Sequence, residues 1–372
     1  MSTAGGLHVQ PVGLIDAAPE VPATTRITMT RWLLHGGVQL RSGKHAGGVA
    51  ASVGALGDAD YVYPEITGYY LQWLAWRASE GDEHGVLARR ATDAQRWLGA
   101  WSMRGERPPT RIHLRGQVRD WRNETRFFFD LAMVVRGLGS AVRRGLVQPD
   151  AVLIDKLALA LSKLVAADGR FAACGCCPAG DIVPDRWSTR RGGFLAKAAA
   201  GVLSAAEALP ELRDLVPAAT ATFRESIEHG LQAPHREMHP FFYGIEGAVA
   251  FPGNLTPSER AAVVAHVRSR LAWVGEDGTL PESIGGSGPR RLDVVAQALR
   301  AAALLGIDRA GDLRIVRALA RMRRCLHDSI DPRGAMPFAM QHAARGNAWA
   351  TMFAHQALEA ESPPGIPRRL IV

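Results

Sequence analysis

The sequence predicts an all-α fold: an (α/α)6 toroid, six helical hairpins closed into a ring. Three observations carry this reading. Period-two runs of β-branched and aromatic residues are scarce in a chain of 372 residues that is 47% hydrophobic, so helical periodicity dominates. About twelve helical segments alternate between amphipathic, Arg-rich ones and Ala/Gly-rich, nearly all-apolar ones. Polar and aromatic segments recur ahead of the apolar helices at steps of 61, 67, 47, 51 and 56 residues, counted from Glu65, Arg126, Gly193, Pro240, Arg291 and Asn347. Such spacing is a loose repeat of one hairpin.

Residues 1–24, rich in Gly, Ala and Pro, read as a flexible N-terminal arm, and 25–372 as a single toroid domain. The first helix is expected from about Ile27 to Leu40. The second, Pro64 to Ser79, has Pro at its first position, where a missing N–H costs nothing. Glu65 lies in its first turn, and Gly68 points to a close backbone approach. The third runs from about Glu83 to Met103, the fourth from Thr125 to Arg144 and the fifth from Pro149 to Ala167. After a cysteine-bearing loop come the sixth, Gly192 to Leu209, and the seventh, Pro210 to Gly230. The eighth opens at His239-Pro-Phe-Phe-Tyr. The ninth, Thr256 to Val274, starts with the capping-box signature Thr256-Pro-Ser-Glu259. The tenth spans Arg290 to Leu305, the eleventh Asp308 to His327 and the twelfth Asn347 to Glu361. The odd helices carry wet, Arg-bearing faces and belong outside. The even ones are apolar nearly all round and belong inside. All six inner mouths then open on one end and line one cavity.

The net charge is +8 and the pI about 9.8. The arginines are scattered rather than clustered, which argues against nucleic acid. No apolar run reaches the ~18 residues of a membrane span. The N-terminus shows no charged segment followed by an apolar one. The expectation is a cytoplasmic protein with reduced thiols. Cys174-Gly-Cys176-Cys177 has no second Cys pair or spaced His for zinc, and His235 and His239 straddle a helix start. No metal and no cofactor is expected.

The acids at the inner mouths are Glu65, Asp130, Glu246 and Asp293. Glycoside chemistry uses two carboxyl groups around one bond. Asp130 and Asp293 have arginines beside them and suit ion pairs. Glu65 and Glu246 stand among Tyr and Gly and rank first. Tyr63, Tyr69 and Tyr243 each bring a hydroxyl that needs a partner when buried, and Trp187 and Trp349 can stack on sugar rings. Tyr and His239 can transfer protons next to a carboxylate. Arg126, Arg186, Lys197, Arg291 and Arg345 can hold an anionic sugar, Arg through its bidentate fork.

The segment Tyr63-Pro-Glu-Ile-Thr-Gly-Tyr69 resembles the Tyr-Pro-Glu-Val-Thr-Gly-Tyr segment of (α/α)6-toroid proteins of bacterial polysaccharide pathways, the toroidal domain of D-glucuronyl C5-epimerases among them. Leu292-Asp-Val-Val-Ala-Gln-Ala-Leu299 and Asn347-Ala-Trp-Ala-Thr-Met-Phe-Ala-His-Gln-Ala-Leu358 are similar to inner helices of the same group. The chain departs from the epimerase pattern in showing no β-rich domain ahead of the helices. The wider class includes six-hairpin glycosidases, polysaccharide lyases and terpene cyclases.

Together these readings predict a carbohydrate-active enzyme that hydrolyses, eliminates or epimerises a glycan, uronate-containing glycans included. The proton chemistry falls to Glu65, Glu246, Tyr63, Tyr69, Tyr243 and His239. Arg126, Asp130, Arg186, Trp187, Lys197, Arg291, Asp293, Arg345 and Trp349 are the expected substrate contacts. The alternatives are a terpene cyclase or prenyltransferase, favoured by a deep apolar bowl with one acid, and a non-catalytic glycan-binding scaffold, favoured if no carboxyl groups pair.

Overall fold

The computed structural model describes residues 22–105, 108–116, 118, 121–175, 183–286, 288–307, 312–342, 344–360 and 367–372. Helix α1 spans Ala23–His35. It begins four residues before the expected start and stops five early. Gly36 and Gly37 end it, and Gly37 takes φ +83°, which an L side chain resists. Strand β1 is Ser52–Gly54 and β2 Tyr61–Val62. Then come α2 (Pro64–Ser79), α3 (His84–Ser102), β3 (Ile112–His113), the single turn α4 (Trp121–Glu124), β4 (Arg126–Phe127), α5 (Phe128–Arg143) and α6 (Ala151–Ser162). β5 is Cys174–Gly175, α7 Leu195–Ala206, α8 Val216–Gln232 and α9 Met238–Ala250. The chain goes on with α10 (Pro257–Leu271), α11 (Leu292–Leu305), α12 (Leu313–Ser329), β6 (Arg345–Asn347) and α13 (Ala348–Glu359).

The even-numbered segments of the sequence are the inner helices α2, α5, α7, α9, α11 and α13. Each packs on the next, and α13 packs back on α2. Their burial explains their composition: every residue of α5 from Phe128 to Ala141 is buried, as a helix apolar all round requires. The outer helices α3, α6, α8, α10 and α12 lie against the inner helices that precede them, and α1 packs on α13. The buried apolar side chains form one continuous cluster.

The capping box is present: Thr256 Oγ1 accepts from Glu259 N, and the Glu259 carboxylate accepts from Thr256 N at 2.8 Å. The seventh expected helix opens instead as a 3-10 turn, Pro210–Leu215, and becomes α-helical at Val216. Residues 308–311, where the eleventh was expected to begin, lie outside the described residues; α12 starts at Leu313, capped by the Asp312 side chain.

Gly68 serves helix packing rather than a ligand. A Cβ there would stand 2.5 Å from the Met133 carbonyl oxygen, and one on Gly137 would stand 2.2 Å from the Gly68 carbonyl oxygen. The backbones of α2 and α5 therefore cross with nothing between them. This contact brings the two helix mouths, and the carboxyl groups they carry, side by side.

The strands are short, but they fix the mouths. β2 pairs with β3 just before α2, β4 with β5 just before α5, and β6 with β1 just before α13, all antiparallel. Single bridges, Glu237 to Ser283 and Arg291 to Ala339, do the same ahead of α9 and α11. A β pairing holds the first side chains of each of these five helices in register.

Candidate active site

Glu65 and Asp130 stand in the first turns of α2 and α5, where the helix dipole favours an anion. Both line a cavity of about 260 Å³ at the mouth end of the ring. Tyr63 Oη donates to Asp130 Oδ2 at 3.0 Å. The Glu65 carboxyl lines the same wall and couples electrostatically to Asp130. Two carboxyl groups that share one cavity wall cannot both ionise cheaply. Burial and then the Glu65 charge push Asp130 well above the usual carboxylate range, and burial raises Glu65 as well. The pair therefore keeps a proton above the usual carboxylate range. The pair titrates as a unit.

Opposite α2 in the ring stands α9, which brings His239 and Tyr243 to the same cavity. Their rings lie 4.2 Å apart. His239 Nδ1 is 2.8 Å from Gln297 Oε1 and 3.4 Å from Asp293 Oδ2. Burial, and then the Arg291 charge, lower its pKa to about 3, so the imidazole is neutral. The Tyr69 hydroxyl neighbours that of Tyr243. Trp187 sits edge-on to Phe194 and to His239, at 5.1 and 6.2 Å between centroids. Trp349 lines the cavity and donates its indole N–H to Asp293 Oδ2 at 3.2 Å. Arg186 is at the rim.

The structure corrects several expected site residues. Glu246 is 2% exposed and lies beneath the cavity floor. Lys197 Nζ meets its Oε2 at 2.8 Å and Arg300 donates to its Oε1. Burial raises Glu246, but Arg300 and Lys197 outweigh it and hold the carboxylate below its usual range. Its apolar sequence neighbours concealed these two partners, which come from other helices. Lys197 is fully buried, its ammonium 4.5–5.0 Å from the ring centres of Tyr243, Tyr69 and Phe353, and burial drags its pKa down to about 7. It braces the tyrosines from below. Asp293 is sealed by Arg291, whose Nη2 lies 2.7 Å from Oδ2. Arg291 stacks over Phe338 and is committed to that pair. Arg345 binds Asp58 at 2.7 Å and Ser52, locking the β1–β6 ladder away from the cavity. Arg126 lines a neighbouring cavity of about 390 Å³, which shares Asp130 and Phe127 with the first. The titratable groups converge on the smaller one.

Arg111 and Arg122 were missed. Both line the cavity. The Arg111 guanidinium lies 5.4 Å from the ring centres of both Tyr61 and Tyr63, within cation–π range. Arg111 directly precedes β3, whose partner is β2. A two-residue strand leaves no periodic signal, so only the tyrosines opposite could have pointed to it. Cys174 is half-buried with Sγ 3.6 Å from the Thr189 carbonyl oxygen; Cys176 and Cys177 lie outside the described residues. No helix among the described residues is long and apolar enough to cross a membrane.

No protein-family model matches the chain, and no curated protein matches it in sequence. Solved structures do resemble it. A D-mannose isomerase aligns at TM-score 0.66 and 11% identity, over 90% of this chain and 95% of its own. A sugar epimerase from a ruminal bacterium aligns at 0.63 and 11%, over 90% and 97%. An unsaturated glucuronyl hydrolase specific for heparin aligns at 0.57 and 12%, over 90% and 96%. At these identities the likeness is one of fold. By that fold, and by its ring of six inner helices, the chain is an (α/α)6 toroid.

Proposed function

We propose that the protein is a sugar-processing enzyme that moves a proton at an anionic, uronate-type sugar, with the Glu65–Asp130 pair as the acid. The observation that carries this is the convergence of the two carboxyl groups on one cavity, with Tyr63 bonded to Asp130. Carboxyl groups that flank a glycosidic bond stand about 5–5.5 Å apart in retaining enzymes and about 6.5–9.5 Å apart in inverting ones. A coupled pair suits proton delivery to one carbon atom, as in epimerisation or hydrolysis begun by protonation. Tyr63 steadies the charge left on Asp130 after its proton has gone.

Three guanidinium groups, Arg111, Arg122 and Arg186, stand around the cavity and suit a sugar carboxylate. Trp187, Trp349 and Phe129 offer aromatic surface for a ring. At about 260 Å³ the cavity is below the usual range of about 300–1,000 Å³ for drug-sized ligands, so it suits a terminal sugar unit better than a long chain. The pairing of the acids counts against a purely binding scaffold. The two acids and three guanidinium groups in the lining count against a prenyl substrate. The fold neighbours support the class: their names describe isomerisation, epimerisation and hydrolysis of sugars.

The test is to incubate the protein with a panel of uronate and neutral oligosaccharides in D2O and follow products by NMR. The reading expects turnover of uronates with deuterium placed on a ring carbon, abolished in Asp130→Asn. Turnover of neutral sugars alone, unchanged in Asp130→Asn, would contradict it.

A further inference from the structure

A polar chain runs from the floor of the ring to the cavity wall, and each link fixes the direction of the next. Glu246 is a carboxylate held by Arg300 and Lys197, so it can only accept. Gln297 Nε2 lies 3.3 Å from Glu246 Oε2, so the amide turns its NH2 to Glu246 and its oxygen the other way. That oxygen, Oε1, lies 2.8 Å from His239 Nδ1. An amide oxygen accepts, so Nδ1 carries the hydrogen. Asp293 Oδ2, 3.4 Å from the same nitrogen and pinned by Arg291 and Trp349, is a second acceptor there. In a neutral imidazole with Nδ1 protonated, Nε2 holds the lone pair. No described residue bonds Nε2, and His239 lines the cavity.

The structure assigns Gln297 and Glu246 the role of positioning residues that hold His239 as its Nδ1–H tautomer, with the Nε2 lone pair offered to the substrate as a base. This deepens the proposed function and rests on that cavity being the site of proton transfer. His239 on α9 faces the Glu65–Asp130 pair across the ring. In the step that follows, Nε2 takes a proton from the carbon next to a sugar carboxylate. The electron pair of that C–H bond passes into the enolate. Asp130 then delivers its proton to the opposite face of that carbon, and the pair moves back into the new C–H bond. The enzyme is left with an imidazolium and a carboxylate, which exchange protons with solvent. Glu246, Gln297, Asp293, Arg291 and Lys197 never meet the substrate in this step. Arg291 and Lys197 oppose the imidazolium, whereas Asp293 favours it.

The tautomer can be read without any substrate. In protein labelled with 15N-histidine, long-range 1H–15N correlation distinguishes protonated from lone-pair ring nitrogens, and His239→Gln identifies the His239 signals. The expected result at neutral pH is a protonated Nδ1 and a lone-pair Nε2. A protonated Nε2 in the wild-type protein would overturn the assignment, whatever the enzyme proves to do. Gln297→Met, of similar size, removes the acceptor. It is expected to mix the two tautomers and, on any uronate that turns over, to lower kcat by about 100-fold or more while leaving KM nearly unchanged. Gln297→Met protein with an unchanged, pure Nδ1–H signal would show that Asp293 alone sets the tautomer, and would also overturn the relay. Failure to find a uronate substrate, with the NMR result as expected, would count against the proposed function and leave the relay standing.

Discussion

Tyr63 donates its hydroxyl proton to Asp130 across 3.0 Å, and so ties together two helix mouths 67 residues apart in sequence. The bond exists because β2 and β4 hold the entries of α2 and α5, and because Gly68 and Gly137 let those helices touch backbone to backbone. The same contact brings the Glu65 and Asp130 carboxyl groups to one cavity.

The pair makes stability depend on pH. Both carboxyl groups have folded pKa values above their unfolded ones. Such a group contributes stability that is fully present below the unfolded value, near pH 4, and lost as pH rises through the folded value. Asp130→Asn, which mimics the protonated acid, removes that loss. The difference in Tm, variant minus wild type, is expected to grow more positive from pH 4 to pH 8. A constant difference would show that Asp130 ionises normally.

Glu246 is the carboxylate between two buried basic groups, Lys197 and Arg300. Removing one member of a buried ionic cluster leaves uncompensated charge and costs about 3–5 kcal/mol. Urea unfolding of Glu246→Ala should show a loss of that order. A loss under about 1 kcal/mol would mean that the cluster is hydrated rather than sealed.

Gly68→Ala tests the helix crossing. The added methyl meets the Met133 carbonyl at 2.5 Å, and overpacking of this kind costs about 1–3 kcal/mol. Gly99→Ala, on the outer helix α3 with its nearest new neighbour 3.7 Å away, is the control. It should gain up to about 1 kcal/mol from helix propensity. Equal effects at the two positions would contradict the close approach.

Arg111 is expected to bind the sugar's anionic group. Arg111→Ala should raise KM for a uronate by about tenfold, on the scale of one charge-assisted hydrogen bond, and leave a neutral analogue unaffected. An equal rise for both sugars would assign Arg111 to packing of Tyr61 and Tyr63 instead.

The fold was legible because helical periodicity, the two kinds of helix and the recurring mouths all agree. Pro64 and the Thr256–Glu259 box even gave helix starts to the residue. Sequence position alone found residues that line one cavity: Glu65, Tyr63, Tyr69, Asp130, His239, Tyr243, Trp187 and Trp349. It failed where the deciding partner comes from another helix. Glu246 looked unpaired because Arg300 lies 54 residues away, and Asp130 looked paired because Arg126 is its sequence neighbour. Arg345 stood at a mouth, but its guanidinium turns to Asp58. Depth in the ring, which separates a floor residue from a wall residue, leaves no mark on a helix whose every face is buried.

The shared proton itself can be observed. Infrared difference spectroscopy at neutral pH detects the C=O stretch of a protonated carboxylic acid against a background of ionised side chains. The wild-type protein is expected to show such a band, shifted in D2O and absent from both Asp130→Asn and Glu65→Gln. A wild-type spectrum without that band, or a band that survives in both variants, would contradict the proton-sharing pair on which the proposed chemistry rests.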